Sequence, residues 1–355
     1  MKTKSRIAYY DNLKGILILL VVITHFAFPL SGEKEVRVMI DFVFLFHMPL
    51  FILLSGLFSK GGTPQERRAW GRNVVYYAII YGMMIALILV VVRYWFPVNL
   101  LSPFHAWGGG IAWYMMAMVW FTLLTPLFKN TKPVPVMLVL LAIAVLSGFY
   151  PLGDLFTLSR TIVFLPFFAL GVYLGSGRLL SFRQSHKRLS HVCKIFAVLI
   201  TAVLCILLYK MPLSCNELIK MMSKGRSSYL EVITATGLDI GNAEALLFRL
   251  VLYVVTAGII IVILTACPLK KIPVLNTAGK KSLRIYFYHA PLNYAAEYSG
   301  ITQRIAQHFP EGWYLAFSIL LGVVIVLIIM WLDFLDYPFK LAKWLAGKLV
   351  TKTAA

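Results

Sequence analysis

Ten long apolar runs, separated by short gaps that hold most of the charged residues, constrain this chain more than any other feature. They cover residues 15–30, 38–58, 73–92, 111–128, 134–150, 161–176, 192–209, 246–267, 283–299 and 313–335. A helix that crosses a bilayer needs about 20 mainly apolar residues. The chain is 60% hydrophobic and only 14% charged, which would leave a water-soluble domain with large exposed apolar patches. We therefore predict an all-α polytopic integral membrane protein, a bundle of about ten transmembrane helices.

The positions of lysine and arginine predict the orientation of these helices. Of the 34 basic residues, 24 fall at the chain ends and in alternate gaps, at residues 2–14, 60–72, 129–132, 178–194, 270–284 and 340–352. Membrane proteins concentrate lysine and arginine in their short cytoplasmic loops. We therefore expect both termini in the cytoplasm and the long segment 210–245 on the outer side. That segment is either a lid or acceptor surface over the outer mouth, or a plain connector.

Charge and cysteine content exclude two classes of partner. The formal charge of +20 does not indicate nucleic acid, because the basic residues lie between apolar runs rather than on one soluble face. The four cysteines, Cys193, Cys205, Cys215 and Cys267, lack the spacing of a metal site, so no metal is expected. The sequence shows no internal repeat, and we treat residues 1–355 as a single membrane domain with membrane lipids among its partners.

The first apolar run carries three ionisable side chains on one stripe, Asp11, Lys14 and His25. At 3.6 residues per turn, Lys14 and His25 lie about 20° apart around the helix and about 16 Å apart along it. An ionisable group at membrane depth costs about 2.5–3.5 kcal/mol, so it needs a partner or a hydrated cavity. We expect Asp11 and Lys14 near the cytoplasmic edge and His25 deep, toward the outer half. The plainer alternative for Asp11 and Lys14 is an ion pair that anchors the helix end.

The second run holds His47 at a depth similar to that of His25, and the two histidines could share a cavity. Pro49 predicts a kink, because proline removes a backbone donor and leaves a carbonyl unbonded. Ser55 and Gly56 permit close approach of another helix, as small residues do in membranes. Helix packing alone is the alternative role of His47, Ser55 and Gly56.

Two further groups of polar residues are candidates for a site. Arg68 and Arg72 are spaced i,i+4, which puts both on one face if a helix begins there and suits a phosphate group. Their alternative partner is the anionic lipid headgroup. In the ninth run, Tyr288 and His289 interrupt an apolar frame, and this run could be a partial or re-entrant element. A structural hydrogen bond is the alternative for His289.

These residues carry a resemblance to a known family. Residues 11–15 read Asp-Asn-Leu-Lys-Gly and are followed by an apolar run that ends at His25. Residues 46–51 read Phe-His-Met-Pro-Leu-Phe, and residues 285–292 read Ile-Tyr-Phe-Tyr-His-Ala-Pro-Leu. This pattern resembles membrane acyltransferase family 3, with closest similarity to its sugar O-acetyltransferase branch, such as the fucose 4-O-acetylases. The chain departs from the family in having Lys14 where arginine is commoner and a 68/72 spacing in place of R-x-x-R.

The resemblance implies an acyltransferase of the bacterial cytoplasmic membrane. Such an enzyme would take an acyl group, typically acetyl, from cytoplasmic acyl-CoA and deliver it to a hydroxyl of a sugar or a lipid-linked glycan. His25 would act as general base, since a neutral histidine can accept a proton near pH 7. His47 or Tyr288 would stabilise the carbonyl oxygen as charge develops there. His289 is the fourth candidate for a catalytic role.

The resemblance assigns the acyl-CoA end of the site to a separate group of residues, which are Asp11, Lys14, Arg68 and Arg72. A membrane transporter or exporter of an acyl donor, an amino acid or a polysaccharide is the alternative function, because polar residues inside the membrane are equally typical of transport. Transporters more often contain related halves, which this sequence lacks.

Overall fold

The computed structural model describes residues 7–61, 63–95, 110–153, 155–310 and 312–350. Within these ranges all regular secondary structure is helical. We number the α-helices in chain order. They are α1 (Ala8–Ala27), α2 (Lys34–Phe44), α3 (His47–Leu57), α4 (Pro64–Trp95), α5 (Trp113–Lys129), α6 (Pro133–Leu146), α7 (Leu158–Leu174), α8 (Ser176–Ser185), α9 (Lys187–Lys210), α10 (Leu213–Lys224), α11 (Tyr229–Thr236), α12 (Asn242–Ala266), α13 (Pro273–Lys280), α14 (Ser282–Ser299), α15 (Ile301–Ala306), α16 (Tyr314–Trp331) and α17 (Tyr337–Leu349).

The helices confirm the prediction of an all-α polytopic membrane protein. Among the described residues, seven helical segments are long and apolar enough to cross a bilayer. They are Ala8–Leu30, Lys34–Leu57, Glu66–Arg93, Leu155–Leu174, Val192–Lys210, Asn242–Ala266 and Tyr314–Trp331. The fourth, fifth and ninth predicted runs are the helices α5, α6 and α14, of 17, 14 and 18 residues. They are shorter or more polar than the other seven, so the count of ten crossings stays a prediction.

Among the predicted runs that contain proline, the second and the ninth have different outcomes. In the second run the helix breaks as expected: α2 ends at Phe44, α3 begins at His47, and the chain between them forms tight i,i+3 hydrogen bonds. Pro49 then lies in the first turn of α3, where a missing N–H costs nothing. In the ninth run, α14 continues through Pro291 as one helix. Its polar residues His289 and Asn293 are buried.

The chain forms two compact units, each assembled from separated segments. The first comprises Met1–His47, Arg183–Lys210 and Ala257–Asp336. Its centre is α1, which packs against α13, α14 and α16. These contacts are close because glycines lie at them: a Cβ at Gly15 would be 2.0 Å from the Leu275 carbonyl oxygen, and one at Gly322 would be 2.7 Å from the Cα of Ile23. Small residues let membrane helices approach in this way.

The second unit comprises Met48–Phe182, Met211–Thr256 and Tyr337–Ala355. In it α5 packs on α4 and α7, and α17 packs on α4. The predicted close approach at Ser55 and Gly56 is confirmed. A Cβ at Gly56 would be 2.2 Å from the Phe168 carbonyl oxygen, and Gly171 is equally close to the backbone of α3. The Ser55 hydroxyl lies 2.7 Å from that of Tyr114.

The segment 210–245 is mostly helical. It contains α10 and α11, whose apolar side chains form a small core that includes Leu218, Met222 and Tyr229. A capping box starts α11, with the Ser228 hydroxyl accepting from the Glu231 N–H and the Glu231 carboxylate accepting from the Ser228 N–H. The segment is therefore a folded subelement of the second unit.

The orientation remains a prediction from the charge distribution. The basic residues at positions 2, 4, 6 and 352, which contribute to it, lie outside the described residues.

Candidate active site

Two histidines from distant parts of the chain meet inside the first unit. Nδ1 of His25, on α1, lies 2.8 Å from Nε2 of His289, on α14. The rings are nearly parallel, with 6° between their planes and 5.1 Å between their centroids. His289 is fully buried, whereas His25 is only partly buried. The pair is one hydrogen-bonded unit, and its accessible member is His25.

The backbone of α14 determines how protons are distributed in this pair. Nδ1 of His289 lies 2.7 Å from the Tyr286 carbonyl oxygen and 3.2 Å from that of Ile285. A carbonyl oxygen only accepts, so Nδ1 of His289 carries the hydrogen and Nε2 of the neutral ring is the acceptor. The neighbouring nitrogen of His25, Nδ1, must then be the donor. In the neutral state this leaves the lone pair of His25 on Nε2, the atom that can take up a proton.

Neighbouring side chains on the same stretch of chain hold the His25 imidazole in place. The Phe28 ring stacks beside the imidazole of His25, with 6.2 Å between the ring centroids. The adjacent Thr24 hydroxyl donates to carbonyl oxygens of its own helix, 2.9 Å from that of Leu20 and 3.0 Å from that of Val21, so it does not compete for the imidazole. The His25 imidazole therefore contacts the Phe28 ring and hydrogen-bonds to His289.

His47 is engaged elsewhere. Its Nδ1 lies 2.8 Å from the Val43 carbonyl oxygen, one turn back, and its ring packs edge-on against Phe44. The side chain is 2% exposed. The structure therefore pairs His25 with His289, and His47 hydrogen-bonds the backbone one turn back instead.

Tyr288 belongs to the charged end of α14. It interacts electrostatically with Arg284 and Asp336. Arg284 is itself buried, and its guanidinium donates to the Leu332 carbonyl oxygen at 3.2 Å and forms an ion pair with Asp336 at 3.2 Å. Lys281 donates to the Met330 carbonyl oxygen at 2.8 Å. These two cations satisfy carbonyl groups at the end of α16, a role that their sequence positions did not predict.

Asp11 and Lys14 lie where α1 meets α13. The backbone contact is tight, because a Cβ at Gly279 would be 1.8 Å from the Asp11 carbonyl oxygen. The Asp11 side chain is 6% exposed, and its Oδ2 has no hydrogen-bond partner among the described residues. Lys14 is partly buried. A buried carboxylate oxygen of this kind is costly, which is typical of a functional position.

Asn12 is a site-proximal residue that the sequence analysis did not single out. Its side-chain amide donates to the carbonyl oxygens of Pro268 at 3.2 Å and Lys270 at 2.7 Å, and its oxygen accepts from the Ile272 N–H at 3.2 Å. It therefore ties the start of α1 to the segment that leads into α13. Its place between Asp11 and Leu13 in the 11–15 motif was the available signal.

Arg68 and Arg72 lie in the second unit. Helix α4 begins at Pro64, so the two residues are one helical turn apart on one face, as the sequence required. Both side chains are exposed. They are thus available to a soluble anionic ligand or to lipid headgroups. In the described part of the chain, no three His, Cys, Asp or Glu side chains are grouped in a way that could hold a metal ion.

Comparison with known proteins identifies the family. Residues 7–332 match the sequence model of a family described as an acyltransferase domain, Acyl_transf_3, which is membrane acyltransferase family 3. No curated protein and no solved structure matches the chain significantly. The family match begins at the start of α1, covers both histidines of the pair, and ends just after α16. The chain is therefore a membrane acyltransferase that belongs to family 3.

Proposed function

We propose that this acyltransferase transfers an acetyl group from cytoplasmic acetyl-CoA to a hydroxyl of a sugar or cell-envelope glycan, with His25 as the general base. The family match supports acyl transfer in general and favours it over transport. One observation carries the assignment of the base, the 2.8 Å contact between Nδ1 of His25 and Nε2 of His289. The resemblance to the sugar O-acetyltransferase branch supports the acceptor class and a bacterial cytoplasmic membrane.

The proposed chemistry uses the lone pair on Nε2 of His25. As the acceptor oxygen forms the ester bond and the thioester C–S bond breaks, Nε2 takes the hydroxyl proton and later returns it to the leaving thiolate. Positive charge develops on His25 during this step. Its Nδ1–H donates to His289 throughout, and this hydrogen bond strengthens as it becomes charge-assisted. His289 is thus a positioning residue that fixes the tautomer, as the orienting member of a catalytic triad does.

The structure does not favour His47 or Tyr288 as the group that stabilises the carbonyl oxygen. Nδ1 of His47 donates to the Val43 carbonyl, so the neutral ring presents an acceptor rather than a donor at its other nitrogen. Tyr288 interacts with Arg284 and Asp336 instead.

We assign the acyl-CoA end of the reaction to four residues near the predicted cytoplasmic side. Arg68 and Arg72 offer exposed guanidinium groups one turn apart, a geometry that suits the phosphates of CoA. Lys14 offers a point charge beside Asp11, whose buried carboxylate oxygen orients or neutralises a cation there.

The proposal is tested by comparing the envelope glycans of cells that produce this protein with those of cells that produce its His25→Gln variant. Mass spectrometry should find glycans heavier by one acetyl group only with the unchanged protein. Identical glycan masses in the two strains, together with release of another acyl product from acyl-CoA by purified protein, would exclude the glycan acceptor but retain acyl transfer. If neither assay yields a product that depends on the protein, the whole proposal is contradicted.

A further inference from the structure

The last helix, α17, lies outside the region that identifies the family. The family match ends at residue 332, and α17 runs from Tyr337 to Leu349. A helix of this length spans about 20 Å, which is too short to cross a hydrocarbon core of about 30 Å. It contains three lysines and no acidic residue. The helix therefore lies outside the hydrocarbon core or along its surface, and its side chains distinguish these two positions.

One face of α17 packs on α4. Ala342 and Ala346, one turn apart, are 0% and 2% exposed. Val350 continues this row, because its N–H donates to the Ala346 carbonyl oxygen at 3.3 Å, and its Cγ1 would lie 3.5 Å from a Cβ at Gly71. Gly71 lies in the first two turns of the membrane segment Glu66–Arg93. The contact therefore holds the end of α17 at the level where α4 enters the membrane.

The side of α17 next to this face is apolar. Leu341, Leu345 and Leu349 form a second row at i,i+4 spacing, about 100° around the helix from the row that packs on α4. We call these three residues the leucine row. Leu341 and Leu349 are 50% and 67% exposed, so the described part of the chain leaves much of this row open. An exposed apolar row on a short basic helix is typical of a helix that lies in the membrane interface.

The remaining sides of α17 carry its charge and its exposed aromatic rings. Lys343 lies across the helix from the leucine row. Lys340 and Lys348 lie one turn before and one turn after Trp344, and their ammonium nitrogens are 5.2 Å from the Tyr337 ring centroid and 4.2 Å from that of Trp344. Both aromatic side chains are exposed. Tryptophan and tyrosine collect at the level of the lipid headgroups, where lysine can extend its charge to the phosphates.

We propose that α17 is an interfacial helix that binds anionic phospholipid headgroups. The leucine row enters the adjoining ends of the acyl chains, Trp344 lies among the headgroups, and Lys340 and Lys348 contact lipid phosphates. Charge complementarity identifies the occupant: the boundary of an anionic membrane offers an apolar layer beside a negative layer, and α17 offers an apolar row beside a basic one. This site is separate from the proposed acyl transfer and does not depend on it.

Fluorescence quenching in nanodiscs tests the position of the helix. The full-length protein, in a cysteine-free background, is labelled with the fluorophore NBD at Leu341→Cys or at Lys343→Cys and reconstituted with phosphatidylcholine and phosphatidylglycerol. Lipids with a nitroxide near the headgroup should quench the fluorophore at residue 341 at least about threefold more than at residue 343. Aqueous iodide should show the reverse order. Leu349→Cys, at the other end of the leucine row, should behave like Leu341→Cys.

Two results of this experiment would overturn the proposal. Strong quenching by iodide at residues 341 and 343 alike would place the whole helix in water. Weak quenching at residue 341 by both iodide and the nitroxide lipids would show that protein covers the leucine row. Neither measurement requires acyl transfer, so failure of the proposed function would leave the result unchanged.

A comparison of two lipids tests the preference for anionic headgroups. With NBD at residue 341, nitroxide-labelled phosphatidylglycerol should quench at least about twofold more than nitroxide-labelled phosphatidylcholine at the same mole fraction. Lys340→Gln combined with Lys348→Gln should abolish this preference. Lys270→Gln combined with Lys271→Gln removes the same charge from exposed lysines of another gap and should retain it. Equal quenching by the two lipids before any lysine is replaced would overturn the assignment of an anionic partner.

Discussion

At the scale of single residues, the main finding is that one histidine sets the tautomer of another. The Tyr286 carbonyl oxygen fixes the hydrogen on Nδ1 of His289, and this in turn fixes the hydrogen on Nδ1 of His25. The atom left to act as base, Nε2 of His25, is therefore determined by a backbone group of α14, two hydrogen bonds away.

Substitution of His289 should lower the rate without unfolding the protein. In His289→Leu the charge-assisted hydrogen bond to His25 is lost, which costs about 1.5–3 kcal/mol, or roughly 10- to 150-fold in kcat. His289→Gln should recover much of this loss, because the Gln carbonyl oxygen can accept from Nδ1 of His25. The KM for acetyl-CoA should not change. Steady-state kinetics and thermal unfolding in detergent check these outcomes, and equal rates for the Leu and Gln variants would argue for a packing role only.

The sequence identified both members of the pair but not the pairing. His25 and His289 each interrupt an apolar run. An ionisable group at membrane depth is energetically costly, so both were candidates for a functional site. They are 264 residues apart, and nothing in the sequence states which helices touch. The similar depths of His25 and His47 indicated a different neighbour, and the structure shows that His47 bonds within its own turn. Asn12 was not singled out, because its place in the 11–15 motif does not show that its side chain bonds to the segment before α13.

At the scale of helices, glycines at the contacts of α1 hold the site together. The close approach of Gly279 to the Asp11 carbonyl keeps α13 against the 11–15 motif. Helix α14 follows α13 after Lys281, so this contact also helps to position α14, which carries His289.

Filling that contact should destabilise the protein. In Gly279→Ala the new methyl would lie 1.8 Å from the Asp11 carbonyl oxygen, and such overpacking costs about 1–3 kcal/mol. Gly258→Ala, on α12, meets nothing within 4 Å and is the matched control. Thermal unfolding in detergent should show a lower midpoint for the first variant alone. Equal midpoints would show that α1 and α13 are not closely packed.

The arginine pair of α4 should act on the acyl donor. Arg68→Ala combined with Arg72→Ala should weaken acetyl-CoA binding at least about tenfold, because each guanidinium is assigned a charge-assisted contact to phosphate. Arg93→Ala, an exposed arginine at the other end of the same helix, is the control and should bind normally. Unchanged binding of acetyl-CoA by the double variant would favour lipid headgroups as the partners of this pair.

Helix positions were more predictable than helix breaks and connections. Each of the ten apolar runs lies on one or two helices, because burial in lipid requires backbone hydrogen bonds to be satisfied within the segment. The break before α3 followed from Pro49. The capping box at Ser228 and Glu231 was not among the predictions, which gave a lid and a connector as the alternatives for segment 210–245. Its helical hairpin depends on a small apolar core that only the fold brings together.

At the scale of the whole molecule, the charge distribution predicts how the chain lies in the membrane. Cysteine labelling of intact cells tests it. In a cysteine-free background, Leu230→Cys on α11 should react with a membrane-impermeant maleimide from outside, and Lys343→Cys on α17 should react only after the cells are opened. Both side chains are exposed, so access reports on the side of the membrane. Labelling of residue 343 in intact cells would show the opposite orientation to the one predicted. It would also contradict the cytoplasmic assignment of Arg68 and Arg72.

The account depends most on His25 as the base of an acyl transfer. The direct test is the transfer of radiolabelled acetyl groups from acetyl-CoA into the glycan fraction of inverted membrane vesicles. His25→Gln should reduce the rate by about 10²–10⁴-fold, because glutamine keeps the polarity but cannot take a proton at neutral pH. The variant should insert and unfold like the unchanged protein, and His47→Gln should retain transfer. Near-normal transfer by His25→Gln would contradict the general-base mechanism and leave the histidine pair with a structural role.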